Sequence, residues 1–199
     1  MRFGSGIRNF TAAHVGEGEI AAPSLGAMRI SGEAELALAG DFRANLTLSG
    51  EGLNHGEPAL GWLNVRGAID SAAILVGGNI SRVSAARMND SSLYAGCAVT
   101  GSTFGNPDGI SFTIPARIGS TTIGTDSSAA FRNSFIAAQA VGSVTLSSVV
   151  SDNGGKAFGV LGTSIDSVRV LKPPFQWLPD SLSAAGVGDF RIQVPRPAR

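Results

Sequence analysis

One six-residue phrase recurs along the chain: LGAMRI from Leu25, LGWLNV from Leu60, ISRVSA from Ile80, IGSTTI from Ile118, VGSVTL from Val141 and IDSVRV from Ile165. Each copy opens on an apolar residue and then alternates apolar with polar or small positions, which is the period of a strand. The opening position recurs at Ile7, Leu25, Phe42, Leu60, Ile80, Val99, Ile118, Val141 and Ile165, at intervals of about 17 to 24 residues. A unit of that length cannot bury its apolar face alone, so copies must stack on one another.

Small or turn-forming pairs precede the opening position, as at Gly40-Asp41, Pro58-Ala59, Gly78-Asn79, Gln139-Ala140 and Thr163-Ser164. A second apolar column lies before that break. It takes in Leu36 and Leu38, Leu46 and Leu48, Ile74 and Val76, Leu93 and Ala95, Phe135 and Ala137, and Phe158 and Val160. Polar pairs announce it in DSAAILV, NDSSLYA and RNSFIAA. Asp, Asn and Ser suit such corners because their side chains satisfy nearby backbone. Gly and Asn supply the tight conformations that β-branched residues resist, so Gly77-Gly78-Asn79 is expected to turn a corner. Strands stacked about 4.8 Å apart would align the opening positions into one inward ladder. Met28, Leu63, Val83, Val144 and Val168 would form a second, and Ile30, Val65, Ile123, Leu146 and Val170 a third.

The expected fold is all-β: a right-handed parallel β-helix (β-solenoid) of about nine coils with a C-terminal cap. A left-handed hexapeptide solenoid is disfavoured, because stepping six residues from Leu25 meets Ser31 and Ala37. Residues 1–171 read as coils and 172–199 as a capping segment with the last strand. Phe175 and Trp177 are expected to cover the open end of the core, and Phe190, Ile192 and Val194 to form that strand. At the other end Ile7 to Phe10 already reads as part of a coil with no lid, which suggests the C-terminal part of a longer chain. Insertions at Glu51–Ala59, Gly101–Asp108 and Ser151–Gly155 are expected as surface loops, where binding residues commonly lie.

Charge and composition remove several function classes. Net charge is zero, charged residues make up 15% and Lys156 and Lys172 are the only lysines, so no nucleic acid partner is expected. No run approaches the roughly 18 apolar residues of a membrane span, so no membrane insertion is expected. The first 20 residues lack the apolar core of a secretory signal. Cys97 is the only cysteine, which excludes an internal disulfide and a cysteine metal cage and reads as a buried small hydrophobe.

The search for chemistry assigns no catalytic, cofactor-binding or metal-binding residue, and the chain leans away from being an enzyme. His14 and His55 read as solvated loop residues. Glu17 and Glu19, and likewise Glu33 and Glu35, would alternate on one strand face. Asp70 and Asp90 are about 20 residues apart, which predicts equivalent corners on adjacent coils. They read as corner caps, although stacked carboxylates are also what Ca²⁺ requires. Asn54-His55-Gly56 matches one element of a polygalacturonase site, but the Asn-Thr-Asp and Asp-Asp elements are missing. GGNISRVSA lacks the third Gly and the Asp of a calcium-binding nonapeptide. The glycosylation sequons at Asn9, Asn45, Asn79 and Asn89 are what chance yields in a chain rich in Asn corners. Arg29, Arg43, Arg82, Arg87, Arg117, Arg132 and Arg169 are expected on outer faces. Trp62 is the candidate aromatic platform for a carbohydrate, whereas Thr47, Thr122 and Thr145 are too irregular for an ice-binding ladder.

The stretch FRNSFIAAQAVGSVTLSSVVSDNGGKAFGVLGTSIDSVRV, within residues 60 to 194, resembles the repeat-rich C-terminal regions of large secreted or surface-attached bacterial β-helix proteins. That resemblance implies an extracellular or cell-surface location and a non-catalytic structural or adhesive role. Its partner would be a cell-surface or extracellular polysaccharide or protein. The alternative is a carbohydrate-binding or polysaccharide-degrading β-helix protein. Such a cleft should show two carboxylates within about 10 Å beside an exposed aromatic.

Overall fold

The computed structural model describes residues 1–54, 56–99, 110–124, 130–178 and 185–194. In chain order the strands are β1 (Ile7–Ala12), β2 (Glu19–Ala22), β3 (Leu25–Ile30), β4 (Asn45–Leu48), β5 (Pro58–Asp70) and β6 (Ala73–Val76). They continue as β7 (Asn79–Asn89), β8 (Ser92–Ala95), β9 (Cys97–Val99), β10 (Ile110–Phe112), β11 (Arg117–Ile123), β12 (Phe131–Arg132) and β13 (Phe135–Ala138). The last are β14 (Ala140–Ser148), β15 (Phe158–Leu161), β16 (Ser164–Lys172), β17 (Phe175–Trp177), β18 (Ala185–Val187) and β19 (Phe190–Gln193). The fold is all-β, with no helix among the described residues.

The chain alternates between two parallel sheets. Sheet 1 runs β1-β3-β5-β7-β11-β14-β16-β17, and sheet 2 runs β2-β4-β6-β8-β13-β15-β19-β18. In each, seven strands pair in parallel and an antiparallel strand closes one edge: β17 on β16 and β18 on β19. A narrower third row links the two sheets, with Val15, Phe42, Ile69, Met88, Phe131 and Val149 bridged in parallel. Seven rungs at about 4.8 Å span about 30 Å.

The expected inward ladders of sheet 1 are present. Ile7, Leu25, Leu60, Ile80, Ile118, Val141 and Ile165 stand in one register. Phe10, Met28, Leu63, Val83, Thr121, Val144 and Val168 form the second, and Ala12, Ile30, Val65, Ala85, Ile123, Leu146 and Val170 the third. From β3 onward nearly every one of these side chains is fully buried. Their burial follows in-out-out-in-out-in, so two residues face outward between the first and second ladders. Four of the seven rungs place Gly at the first outward position: Gly26, Gly61, Gly119 and Gly142. A Cβ on Gly26 would stand 2.6 Å from the Arg8 carbonyl, and one on Gly119 the same distance from that of Ser81. Successive backbones approach too closely there for a side chain to fit without a shift.

Two of the nine expected opening positions fall elsewhere, so each sheet holds seven parallel strands rather than about nine. Phe42 belongs to the third row, because Phe42, Ala44, Leu46 and Leu48 alternate strictly without the extra outward residue. Val99 pairs antiparallel with Ile110 in the hairpin β9–β10, an excursion between β8 and β11. Leu36 and Leu38 also leave the expected column: Ala34 to Ala37 form a tight turn closed by the Glu33–Leu38 bridge, and Leu36 is 64% exposed.

In sheet 2 the inward ladder is Ile20, Leu46, Ile74, Leu93, Ile136, Val160 and Ile192. Ile136 therefore replaces the expected Phe135 and Ala137, which point away from the core yet are buried. The excursion packs Ile110 and Phe112 against the core and brings the Cys97 thiol to 3.5 Å from the Ala137 carbonyl. Every residue of β8, β13 and β15 is buried, and a one-residue register is invisible in a run apolar on both faces.

Polar corners join the third row to sheet 2. Ser71, Asp90 and Asn133 take left-handed φ values of 52°, 48° and 42°, and the Ser91 and Ser134 side chains next to them are fully buried. The Ser134 hydroxyl accepts the Ser91 N–H at 3.1 Å and donates to the Arg132 carbonyl at 2.7 Å. Ser91 does the same one rung on, accepting the Ala72 N–H and donating to the Asn89 carbonyl. At the opposite corner Gly77 lies against the Ser49 carbonyl. Asn79 braces adjacent rungs there, its Oδ1 accepting the Arg117 N–H and its Nδ2 donating to the Gly56 carbonyl.

At the C-terminal end Trp177 and Phe175 extend the second and third inward ladders of sheet 1 by one antiparallel strand, and Trp177 is buried. Phe190 and Ile192 are buried in β19 as expected, whereas Val194 lies past the strand and is 42% exposed.

Candidate binding face

Beyond the first outward position, held by Gly on four rungs and by Arg8, Ser81 and Asp166 on the others, sheet 1 presents two further outward columns along the stacking axis. Asn9, Ala27, Trp62, Arg82, Ser120, Ser143 and Ser167 share one register, and Thr11, Arg29, Asn64, Ser84, Thr122, Thr145 and Arg169 share the other. The strand period dictates this, since residues two apart on one strand share a face. A groove of about 630 Å³ crosses the second column, its polar walls made by Arg29, Ser31, Asn64, Arg66, Ser84 and Thr122. A shallower depression of about 350 Å³ adjoins it, lined by Gly61, Trp62, Ser81 and Arg82. Trp62 is half-buried and faces outward.

Among the described residues no carboxylate lines either depression. Arg66 donates to the Ser31 carbonyl at 3.3 Å, and among the described residues neither it nor Arg29 nor Arg82 forms an ion pair. Four arginines elsewhere are paired with acids, while Arg8, Arg87, Arg169 and Arg191 form no ion pair among the described residues. Arg132 meets Asp90 at 2.7 Å, Arg117 meets Asp166 at 2.6 Å and Arg43 meets Asp70 at 3.5 Å. Arg29, Arg66 and Arg82 thus bring to this face positive charge that no ion pair among the described residues offsets.

The expected carboxylate pairs do not form sites. Asp70 stands opposite Asn89, not Asp90, and each aspartate is engaged by its own arginine. Asp90 takes the left-handed corner position that Ser71 holds one rung earlier, one residue past the equivalent of Asp70. Asp90 also accepts a 2.8 Å bond from Asn133, whose Oδ1 accepts one from Asn153, so this corner is knitted across rungs. Glu33 and Glu35 share no strand face, since they lie on the tight turn before β4. Glu19 pairs with Arg2 at 3.5 Å while Glu17 is exposed in a bend. Among the described residues no group of three His, Cys, Asp or Glu converges in a way that could hold a metal ion.

His14 is half-buried after β1, without a hydrogen bond among the described residues. His55 and residues 101–108 of the second insertion lie outside the described residues. In the first insertion Asn54 donates from its backbone and side chain to the Glu57 carboxylate, which holds that acid below the usual carboxylate range. In the third, Asp189 accepts the N–H groups of Asn153 and Gly155 and pins the turn. Burial pushes the Cys97 thiol up to about 12. The Tyr94 phenol rises to about 12 by burial and by proximity to Cys97. Neither group is poised as a nucleophile at neutral pH.

Sequence reasoning singled out Trp62, Arg29 and Arg82 but missed Asn64, Arg66 and Ser84. The signal was available: the fifth residue of every hexamer is polar. Comparison of the chain with protein-family models, with curated proteins and with solved structures returns no match.

Proposed function

We propose that the chain winds as a right-handed parallel β-helix and serves as a non-catalytic structural or adhesive segment of a secreted or surface-attached bacterial protein. The observation that supports this reading is the continuity of the inward ladders through all seven rungs of sheet 1. Passage from sheet to third row to sheet, with each strand stacking on its equivalent, is the path of a helical coil, and right-handed crossover is the rule for parallel strands. Along this stack the aspartates serve as braces between rungs instead of converging on a reacting centre. Residues 1–171 act as the coil and 172–199 as its cap, with β17 and β18 covering edges that would otherwise invite further pairing.

A polysaccharide-degradation screen tests the functional half. The expected result is no turnover on any polymer. Reproducible product release that disappears in Asp90→Asn or Asp166→Asn would replace this reading with an enzymatic one.

A further inference from the structure

We infer that the outer face of sheet 1 binds an anionic, uronate-bearing polysaccharide laid along the stacking axis, with Trp62 as the sugar platform and Arg29, Arg66 and Arg82 as the carboxylate partners. The inference names the ligand of the adhesive role proposed above and rests on that reading.

Charge is the first argument. The chain is neutral overall, and where an arginine braces the fold an aspartate meets it. Arg29, Arg66 and Arg82 instead stand beside or within two depressions that no carboxylate among the described residues lines. A planar guanidinium offers two parallel N–H donors to a carboxylate, which makes an unpaired arginine in a groove a fitting partner for a uronate.

Spacing is the second. Arg29 lies on β3, Trp62 and Arg66 on β5, and Arg82 on β7, which are three successive rungs. The rungs are about 4.8 Å apart, and the cations are staggered across them: Arg29 stands in register with Asn64 and Ser84, Arg66 two residues beyond that column and Arg82 two residues before it. A linear polymer lying along the Arg29–Asn64–Ser84 column therefore has Arg66 on one flank and Trp62 and Arg82 on the other.

Chemistry of the remaining wall is the third. Asn64, Ser84 and Thr122 stand in one register and supply the donors and acceptors that sugar hydroxyls need. Trp62 gives the apolar ring face of a sugar a flat surface while its strand keeps it fixed. A protein partner fits less well, because the exposed large hydrophobics, such as Leu36, Leu75 and Ile114, lie off these strands' outward columns. Nucleic acid fits less well too, since a single aromatic and three arginines in a neutral chain make neither a stacking series nor a phosphate track.

The test is calorimetric titration of the full chain with polygalacturonate and alginate, with methyl-esterified polygalacturonate and a single-stranded DNA oligonucleotide as comparisons. The expected result is saturable binding to at least one uronate polymer and loss of binding on esterification. Affinity should fall about tenfold or more in Trp62→Ala and in Arg29→Ala/Arg82→Ala, and stay unchanged in Arg87→Ala, with far-ultraviolet circular dichroism as in the parent chain. No binding to either polymer, equal binding by the variants, or preference for DNA or the esterified polymer would overturn the inference. Cleavage of a bound polymer would instead overturn the non-catalytic reading and leave the binding face standing.

Discussion

Replacing Thr121 by Val should stabilise the protein. Thr121 occupies the second inward ladder between Val83 and Val144, is 1% exposed, and its hydroxyl has no hydrogen-bond partner among the described residues. An unpaired buried hydroxyl costs about 1–3 kcal/mol in proteins, and the methyl that replaces it adds about 0.8 kcal/mol of apolar burial. Allowing for imperfect packing, the gain should be about 1–2 kcal/mol, or about 2–8 °C in Tm for a chain of this length. Urea unfolding is the assay: the midpoint should rise while the m-value stays constant. Thr122→Val is the internal control, because Thr122 faces outward on the same strand. It should change stability by no more than about 0.5 kcal/mol. A one-residue slip moves every side chain to the other face. Stabilisation by Thr122→Val with destabilisation by Thr121→Val would therefore refute the register of the whole ladder.

Three further outcomes follow from the same packing. Ser134→Ala should cost about 1–3 kcal/mol in urea unfolding, because it strands the buried N–H of Ser91. Leu63→Ala, at a fully buried ladder position, should cost about 2–5 kcal/mol, whereas Leu36→Ala, on the exposed turn, should change little. Cys97 should react slowly with iodoacetamide at pH 8 in the native protein and readily in urea. Because its folded pKa is raised, the stability it contributes is fully present below the unfolded value of about 8.5 and is lost as pH climbs towards about 12. The urea midpoint should accordingly fall between pH 8 and pH 11, and less steeply in Cys97→Ala.

Sheet 1 was legible because its inward positions are strongly apolar and its outward positions small or polar. Leu60, Leu63 and Val65 in LGWLNV state the pattern by themselves. What misled the reading was alternation taken alone. Phe42 follows a Gly-Asp break and heads an alternating run, but it lacks the two consecutive outward residues that mark every rung of sheet 1. Val99 satisfies the spacing, and only the excursion that pairs it with Ile110 removes it from the ladder. Phe135 and Ile136 differ by one residue in a segment buried on both sides, where hydrophobicity carries no phase. The candidate face was half legible. Trp62 stood out as an aromatic, but the absence of acids around Arg29, Arg66 and Arg82 emerges only when rungs 20 to 40 residues apart are brought side by side.

The most direct measurement is a set of methyl–methyl nuclear Overhauser contacts on Ile-, Leu- and Val-labelled protein. Stacking in register requires contacts from Leu60 to Ile80, from Ile80 to Ile118 and from Ile118 to Val141, with none from Ile80 to Val99. Ile118 lacking contact with either Ile80 or Val141, or Val99 taking its place beside Ile80, would contradict the stacked architecture and the binding face built upon it.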